Sequence, residues 1–110
     1  MRYAFDIDNT LFHTEGNDYK GSTPIQSRIN YVNKLHDKGH YIILYTARGR
    51  RSGIDYSQLT KEQADKFGIK YHEIVMGKLD YDLFVDDKAI STTEFDKIIL
   101  DNAENSIFNY

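Results

Sequence analysis

An α/β domain with a mainly parallel sheet is the fold class this 110-residue chain predicts, in a three-layer, Rossmann-like arrangement forming one domain over residues 1–110. Three observations carry that prediction. Short apolar runs alternate with stretches of helical periodicity. The helical stretches open on Thr or Ser followed three residues later by Gln or Glu, the capping-box spacing. The apolar runs end in Asp or Thr, and in such sheets ligands bind outside the carboxyl ends of the strands.

Taken in order, Arg2 to Asp8 is a first strand, apolar at Tyr3, Ala4, Phe5 and Ile7, suited to burial on both faces. Residues 13–22 are polar with two Gly, hence a loop. Thr23 and Gln26 have capping-box spacing and Pro24 suits a first helical position. Ile25, Ile29, Val32 and Leu35 then follow at helical spacing, and Gly39 closes the helix. Tyr41 to Thr46 is a second strand, and residues 47–56 form a loop carrying Arg48, Arg50 and Arg51. Thr60 and Gln63 repeat the capping spacing, opening a helix that Gly68 ends. A third strand falls around Tyr71 to Val75 and a fourth at Leu83-Phe84-Val85. Ser91 and Glu94 open the last helix, with Phe95, Ile98 and Ile99 on one side, and Ile107-Phe108 interrupt a polar tail. Only residues 77–81 join the third and fourth strands, short for a parallel crossover; a very short fourth strand or a single helical turn would reconcile it.

Composition excludes whole classes of function. With no Cys, disulfides, thiolate metal sites and cysteine nucleophiles drop out. Seventeen acidic residues outnumber 14 Lys and Arg, so bulk attraction to nucleic acid or an anionic membrane is not expected. The longest strongly apolar stretch, Tyr41 to Tyr45, is far short of a membrane span. No basic-then-apolar leader precedes the first strand, and a cytoplasmic protein is expected.

Asp6 and Asp8 leave the first strand one residue apart, so in extended chain both begin on one face. Like charges that close require a cation or a shared proton. An Asp-Asn turn closing the strand is the plain alternative. Asp86-Asp87 repeats the problem at another predicted strand end, and its plain alternative is a solvated turn or a helix cap. Together the two pairs call for a positive centre, and oxygen donors without imidazole or thiolate clusters favour Mg²⁺. Thr46 and Lys78 supply the opposite chemistry, a hydroxyl and an ammonium able to hold phosphoryl oxygens.

In this order the residues resemble the haloacid dehalogenase-like phosphohydrolases. The first motif is similar to Phe5-Asp6-Ile7-Asp8-Asn9-Thr10-Leu11, the second to Leu44-Tyr45-Thr46 continued as Ala47-Arg48-Gly49, the third to Met76-Gly77-Lys78 and the fourth to Phe84-Val85-Asp86-Asp87. Tyr45 to Gly49 and Val85 to Ala89 look most like small phosphatases of capsule or surface-sugar biosynthesis. The resemblance implies a Mg²⁺-dependent phosphomonoester hydrolase. Asp6 would be the nucleophile of an aspartyl-phosphate intermediate and Asp8 the acid and base. Magnesium would be held by Asp6, the Asp8 carbonyl and Asp86. Thr46, Lys78 and backbone N–H groups near Asn9 and Ala47 would hold phosphoryl oxygens, with Thr10 and Asp87 orienting the ligands. No cap domain fits, because Leu11 to Thr23 holds only a flap. The open site then suits a small phosphorylated substrate, with a homo-oligomer as its cover, or a macromolecular end. Arg48, Arg50 and Arg51 could bind an anionic group beyond the phosphate, and His13, Tyr19 and Tyr56 could line the entrance.

Three rivals compete with a sugar phosphatase. A nucleotide or polynucleotide-end phosphatase shares its chemistry, but the acidic balance disfavours extended nucleic-acid contact. A phospho-acceptor receiver domain places its lysine after all its acids, whereas Asp86-Asp87 follow Lys78 here. A domain that binds phosphate or metal without turnover would not require both Asp6 and Asp8.

Overall fold

The apolar runs on either side of the first helix pair with each other, and this builds the sheet. In the computed structural model, which describes residues 1–102, the strands are β1 (Arg2–Asp6), β2 (Phe12–His13), β3 (Thr23–Pro24), β4 (Tyr41–Tyr45) and β5 (Glu73–Val75). The helices are α1 (Gln26–Asp37), α2 (Ser57–Lys66) and α3 (Thr92–Asp101), with one 3₁₀ turn at Tyr19–Gly21. Ile107 and Phe108 lie outside the described residues. Met1–Asp80 forms one compact unit and a second begins at Tyr81.

Within the first unit β1, β4 and β5 make a parallel sheet in that order, Asp6 lying opposite Tyr45 and Tyr45 opposite Val75. The three strands therefore end together, so Asp6, Thr46 and the segment after Val75 emerge at one edge. Helix α1 buries Ile29, Val32 and Leu35, while Ile42 and Leu44 of β4 are fully covered. Among the described residues β1 pairs with β4 alone, and Phe5 is buried while Ala4 is exposed, short of the burial on both faces expected for it. Gly39 (φ 91°) follows α1 and Gly68 (φ 73°) follows α2, as predicted. The α/β class with a parallel sheet and flanking helices stands.

Three expectations are corrected. Thr23 and Pro24 do not open α1; they pair with Phe12 and His13 in an antiparallel ladder, and the Ile25 N–H donates to the Leu11 carbonyl (2.8 Å). A long-range partner claims the residues that local spacing assigned to a cap. Thr60 and Gln63 do not open α2 either, for the helix begins at Ser57, whose N–H donates to the Asp55 carboxylate (2.9 Å). No strand forms at Leu83-Phe84-Val85, where Leu83 is 80% and Val85 87% exposed. Segment 77–81 is short for a parallel crossover, which is consistent with this.

In the second unit Ser91 accepts from the Glu94 N–H (3.2 Å) while the Glu94 carboxylate accepts from the Ser91 N–H, a complete capping box at the start of α3.

Candidate active site

Asp6 is the last residue of β1, and its carboxylate is bracketed from two sides. Lys78 Nζ donates to Oδ1 at 3.0 Å and Thr10 Oγ1 donates to Oδ2 at 3.0 Å. Lys78 can reach because the chain after β5 stays beside the end of β4, its backbone N–H donating to the Thr46 carbonyl (3.1 Å). The Lys78–Asp6 pair spans 72 positions of sequence.

Two residues on, the chain leaves extended conformation. The Thr10, Leu11 and Phe12 N–H groups all converge on the Ile7 carbonyl, and Asn9 adopts φ 63°, a conformation Asn tolerates better than most residues. This turn engages the Asn9 N–H with the Phe12 carbonyl and the Asn9 side-chain oxygen with the Thr14 N–H. The Asn9 N–H expected to face phosphate is thus occupied. The Ala47 N–H differs: it has no acceptor among the described residues. Thr46 is buried, and its Oγ1 accepts from the Arg48 N–H (3.1 Å) while remaining on the cavity wall.

Asp8 faces a cation that the sequence assigned elsewhere. Arg48 Nε donates to Asp8 Oδ2 (2.9 Å) and Nη2 to Oδ1 (2.8 Å), a two-pronged pair, and Thr14 Oγ1 also donates to Oδ1 (2.7 Å). The Arg48 side chain has no exposed surface. Its Nη1 donates to Thr60 Oγ1 (3.1 Å) and Gln63 Oε1 (2.6 Å), and Nη2 also reaches Ser22 Oγ (3.4 Å). Tyr19 and Phe12 present ring faces 4.8 and 5.6 Å from the guanidinium carbon. Breaking such a buried pair from one side costs on the order of 3–5 kcal/mol. Arg48 was expected to bind substrate; in the structure its donors go to protein oxygens instead.

A cavity of about 390 Å³ opens above these groups, lined by Asp6, Asp8, Thr46, Ala47 and Arg48 with the flap and the arginine loop as its sides. Tyr19 and Tyr56 meet edge to face on its wall (centroids 4.9 Å apart). Burial first, and then the charge of Asp8, raises the Tyr19 phenol above its ordinary pKa, so it stays neutral and can donate. Arg50 is exposed at the mouth, whereas the Arg51 guanidinium pairs with the Asp80 carboxylate. His13 pairs with Glu15 (3.1 Å) and is not part of the lining. Asp86 and Asp87 belong to the second unit, in an exposed turn where Asp86 Oδ1 accepts from the Lys88 N–H (3.3 Å).

The chain from residue 3 to 107 matches the family model of the haloacid dehalogenase-like hydrolases. It belongs to that family. A crystal structure of a protein from Vibrio cholerae is similar to this hydrolase at 28% identity and a TM-score of 0.78, with 86% of this chain and 85% of that one covered. No curated protein matches. No helix among the described residues of the hydrolase is long and apolar enough to cross a membrane.

The donor set of the first unit fits the Mg²⁺ that hydrolases of this family generally use. Its acids are carboxylates, and Asp6 accepts two hydrogen bonds where an ionised carboxylate offers about four lone-pair sites. No cluster of three or more His, Cys, Asp or Glu forms among the described residues. Mg²⁺ needs none, because it takes one or two carboxylates and fills the rest with water and substrate phosphate. Sequence reading missed Thr14, Ser22, Thr60 and Gln63. Thr60 and Gln63 had left a signal in their three-residue spacing, which puts them on one face of α2, the face that proves buried beside Ala64.

Proposed function

We propose that the hydrolase is a Mg²⁺-dependent phosphomonoesterase acting through an aspartyl-phosphate intermediate on a small phosphorylated metabolite such as a sugar phosphate. The observation that carries this reading is the Asp6 carboxylate at the cavity, held between Lys78 and Thr10, with the buried Thr46 on the same wall. Bracketing from two sides aims an Asp6 oxygen for in-line attack on phosphorus. As the bond from that oxygen to phosphorus forms, the bond to the substrate oxygen breaks and Asp8 gives the departing oxygen a proton. Asp8 then takes a proton from the water that hydrolyses the acyl phosphate, releasing inorganic phosphate and restoring Asp6. Lys78, the Thr46 hydroxyl and the Ala47 N–H hold the phosphoryl oxygens through the transfer. Asp6 and the Asp8 carbonyl would hold the magnesium ion, and the motif likeness adds Asp86. Bound there, the ion supplies positive charge to the phosphoryl group. Asp87 keeps an orienting role on the same likeness.

Hydrolysis of a panel of sugar phosphates, nucleotides and 3′-phosphorylated DNA tests the reading. Activity on sugar phosphates is expected to vanish on exhaustive chelation and to return with added Mg²⁺, monitored by phosphate release. Full turnover without a divalent ion would remove the metal from the proposal. Preference for nucleotides or DNA ends would change the substrate class. The Arg50 side chain makes no hydrogen bond or ion pair with the described residues, and it is exposed on the cavity lining. It is expected to favour substrates with a second anionic group, such as a sugar acid phosphate. Arg50→Gln should then raise KM about tenfold for these substrates, equivalent to about 1.4 kcal/mol, and leave neutral sugar phosphates unaffected. Equal KM changes for both kinds of substrate would contradict it.

A further inference from the structure

We propose that Arg48 is a positioning residue that fixes the orientation of the Asp8 carboxylate, and that it makes no contact with substrate. The proposal rests on the phosphomonoesterase reading above. A guanidinium has five N–H donors. All five of Arg48 point at protein oxygens: two at Asp8, two at Thr60 and Gln63, one at Ser22. With no exposed side-chain surface, it has neither a free donor nor an open face to offer a phosphate. An entering anion would have to displace partners already in place.

The same geometry explains what the grip achieves. A carboxylate at a strand end rotates freely about its Cβ–Cγ bond unless something fixes its plane. The Arg48 fork contacts both Asp8 oxygens, and a planar fork fixes a carboxylate plane where a lysine ammonium fixes only a distance. Thr60 and Gln63 anchor the fork to α2, behind the cavity wall rather than in it. Gln63 Nε2 in turn donates to the Tyr19 carbonyl, so the helix that holds Arg48 also holds the flap. Proton transfer to a leaving oxygen depends on where the Asp8 oxygens sit, and a misplacement of about 1 Å can cost roughly 100-fold in rate.

The test compares wild type, Arg48→Lys, Gln63→Met, Asp8→Asn and the Arg48→Lys/Asp8→Asn double variant. Substrates are glycerol 2-phosphate, whose alcohol needs a proton to leave, and p-nitrophenyl phosphate, whose phenolate departs without one. Circular dichroism confirms that each variant is folded. Arg48→Lys keeps the charge and loses the fork, so kcat on glycerol 2-phosphate should fall roughly 10- to 100-fold with KM within about threefold. The deficit should shrink on p-nitrophenyl phosphate. In the Asp8→Asn background Arg48→Lys should cost less than about threefold more, because residues acting as one unit are not additive. Gln63→Met loosens Arg48 from outside the cavity and guards against an unfolded Arg48→Lys; it should show a smaller loss with the same substrate dependence. A KM increase with kcat kept, fully multiplicative losses, or equal losses on both substrates in Arg48→Lys and Gln63→Met would overturn the proposal. Wild type inactive on both substrates with Mg²⁺ overturns the phosphomonoesterase reading and this proposal together, a result distinct from all of those.

Discussion

Asp6→Asn is expected to abolish turnover while leaving the protein folded. The replacement keeps the size of the side chain and one acceptor oxygen but removes the anionic oxygen that the proposed reaction uses to attack phosphorus. Loss of a covalent nucleophile costs kcat on the order of 10⁴-fold or more. Stability should change little, because the Asp6 and Lys78 side chains are 35% and 18% exposed and an ion pair open to water contributes only about 0–1 kcal/mol. Phosphate release and thermal melting on the same preparations separate the two effects. Turnover equal to wild type would remove Asp6 as the nucleophile and the intermediate with it.

Gly49→Ala is expected to lower the stability of the fold. Gly49 sits at φ 80°, and a Cβ there would overlap the Ile54 carbonyl oxygen, a backbone atom that cannot swing aside. The loop is closed on itself at this point, the Gly53 N–H donating to the Gly49 carbonyl (2.9 Å) and the Arg50 N–H to the Ala47 carbonyl (3.0 Å). The left-handed backbone and the overlap together should destabilise the fold by about 2–4 kcal/mol, read as a lower urea midpoint. Activity should fall as well, because Gly49 follows Arg48 directly. An unchanged midpoint would show that the loop finds another path.

Much of the fold was legible wherever local pattern and long-range pairing agree. The apolar run at Tyr41 to Tyr45 is β4, and the Ser91–Glu94 spacing is a true capping box. Where a distant partner competes, the same local pattern misleads. Thr60 and Gln63 have capping spacing too, yet the buried Arg48 claims both of them. Thr23-Pro24 read as a helix start until the chain at Phe12-His13 is beside it. Leu83 to Val85 has strand composition; the short connector before it was legible as a difficulty, but its exposure was not. At the site, Asp6 and Thr46 were legible because strand ends advertise their polar residues, and Lys78, three residues past β5, through its place in the motif order. The role of Arg48 was not, because an arginine in a loop looks the same in sequence whether it faces solvent or a carboxylate 40 positions away.

The flap is fastened at its base and bare at its summit. Its stem is the Phe12-His13 and Thr23-Pro24 ladder with Thr14 and Ser22 just above, hydroxyl to hydroxyl at 2.7 Å, while residues 15–18 are exposed. Grafting a longer summit between Glu15 and Asp18 therefore adds chain where no buried partner is lost. New substrate preferences can be installed there as cassettes, by evolution or by hand, without disturbing the contacts of Asp6 and Asp8 beneath.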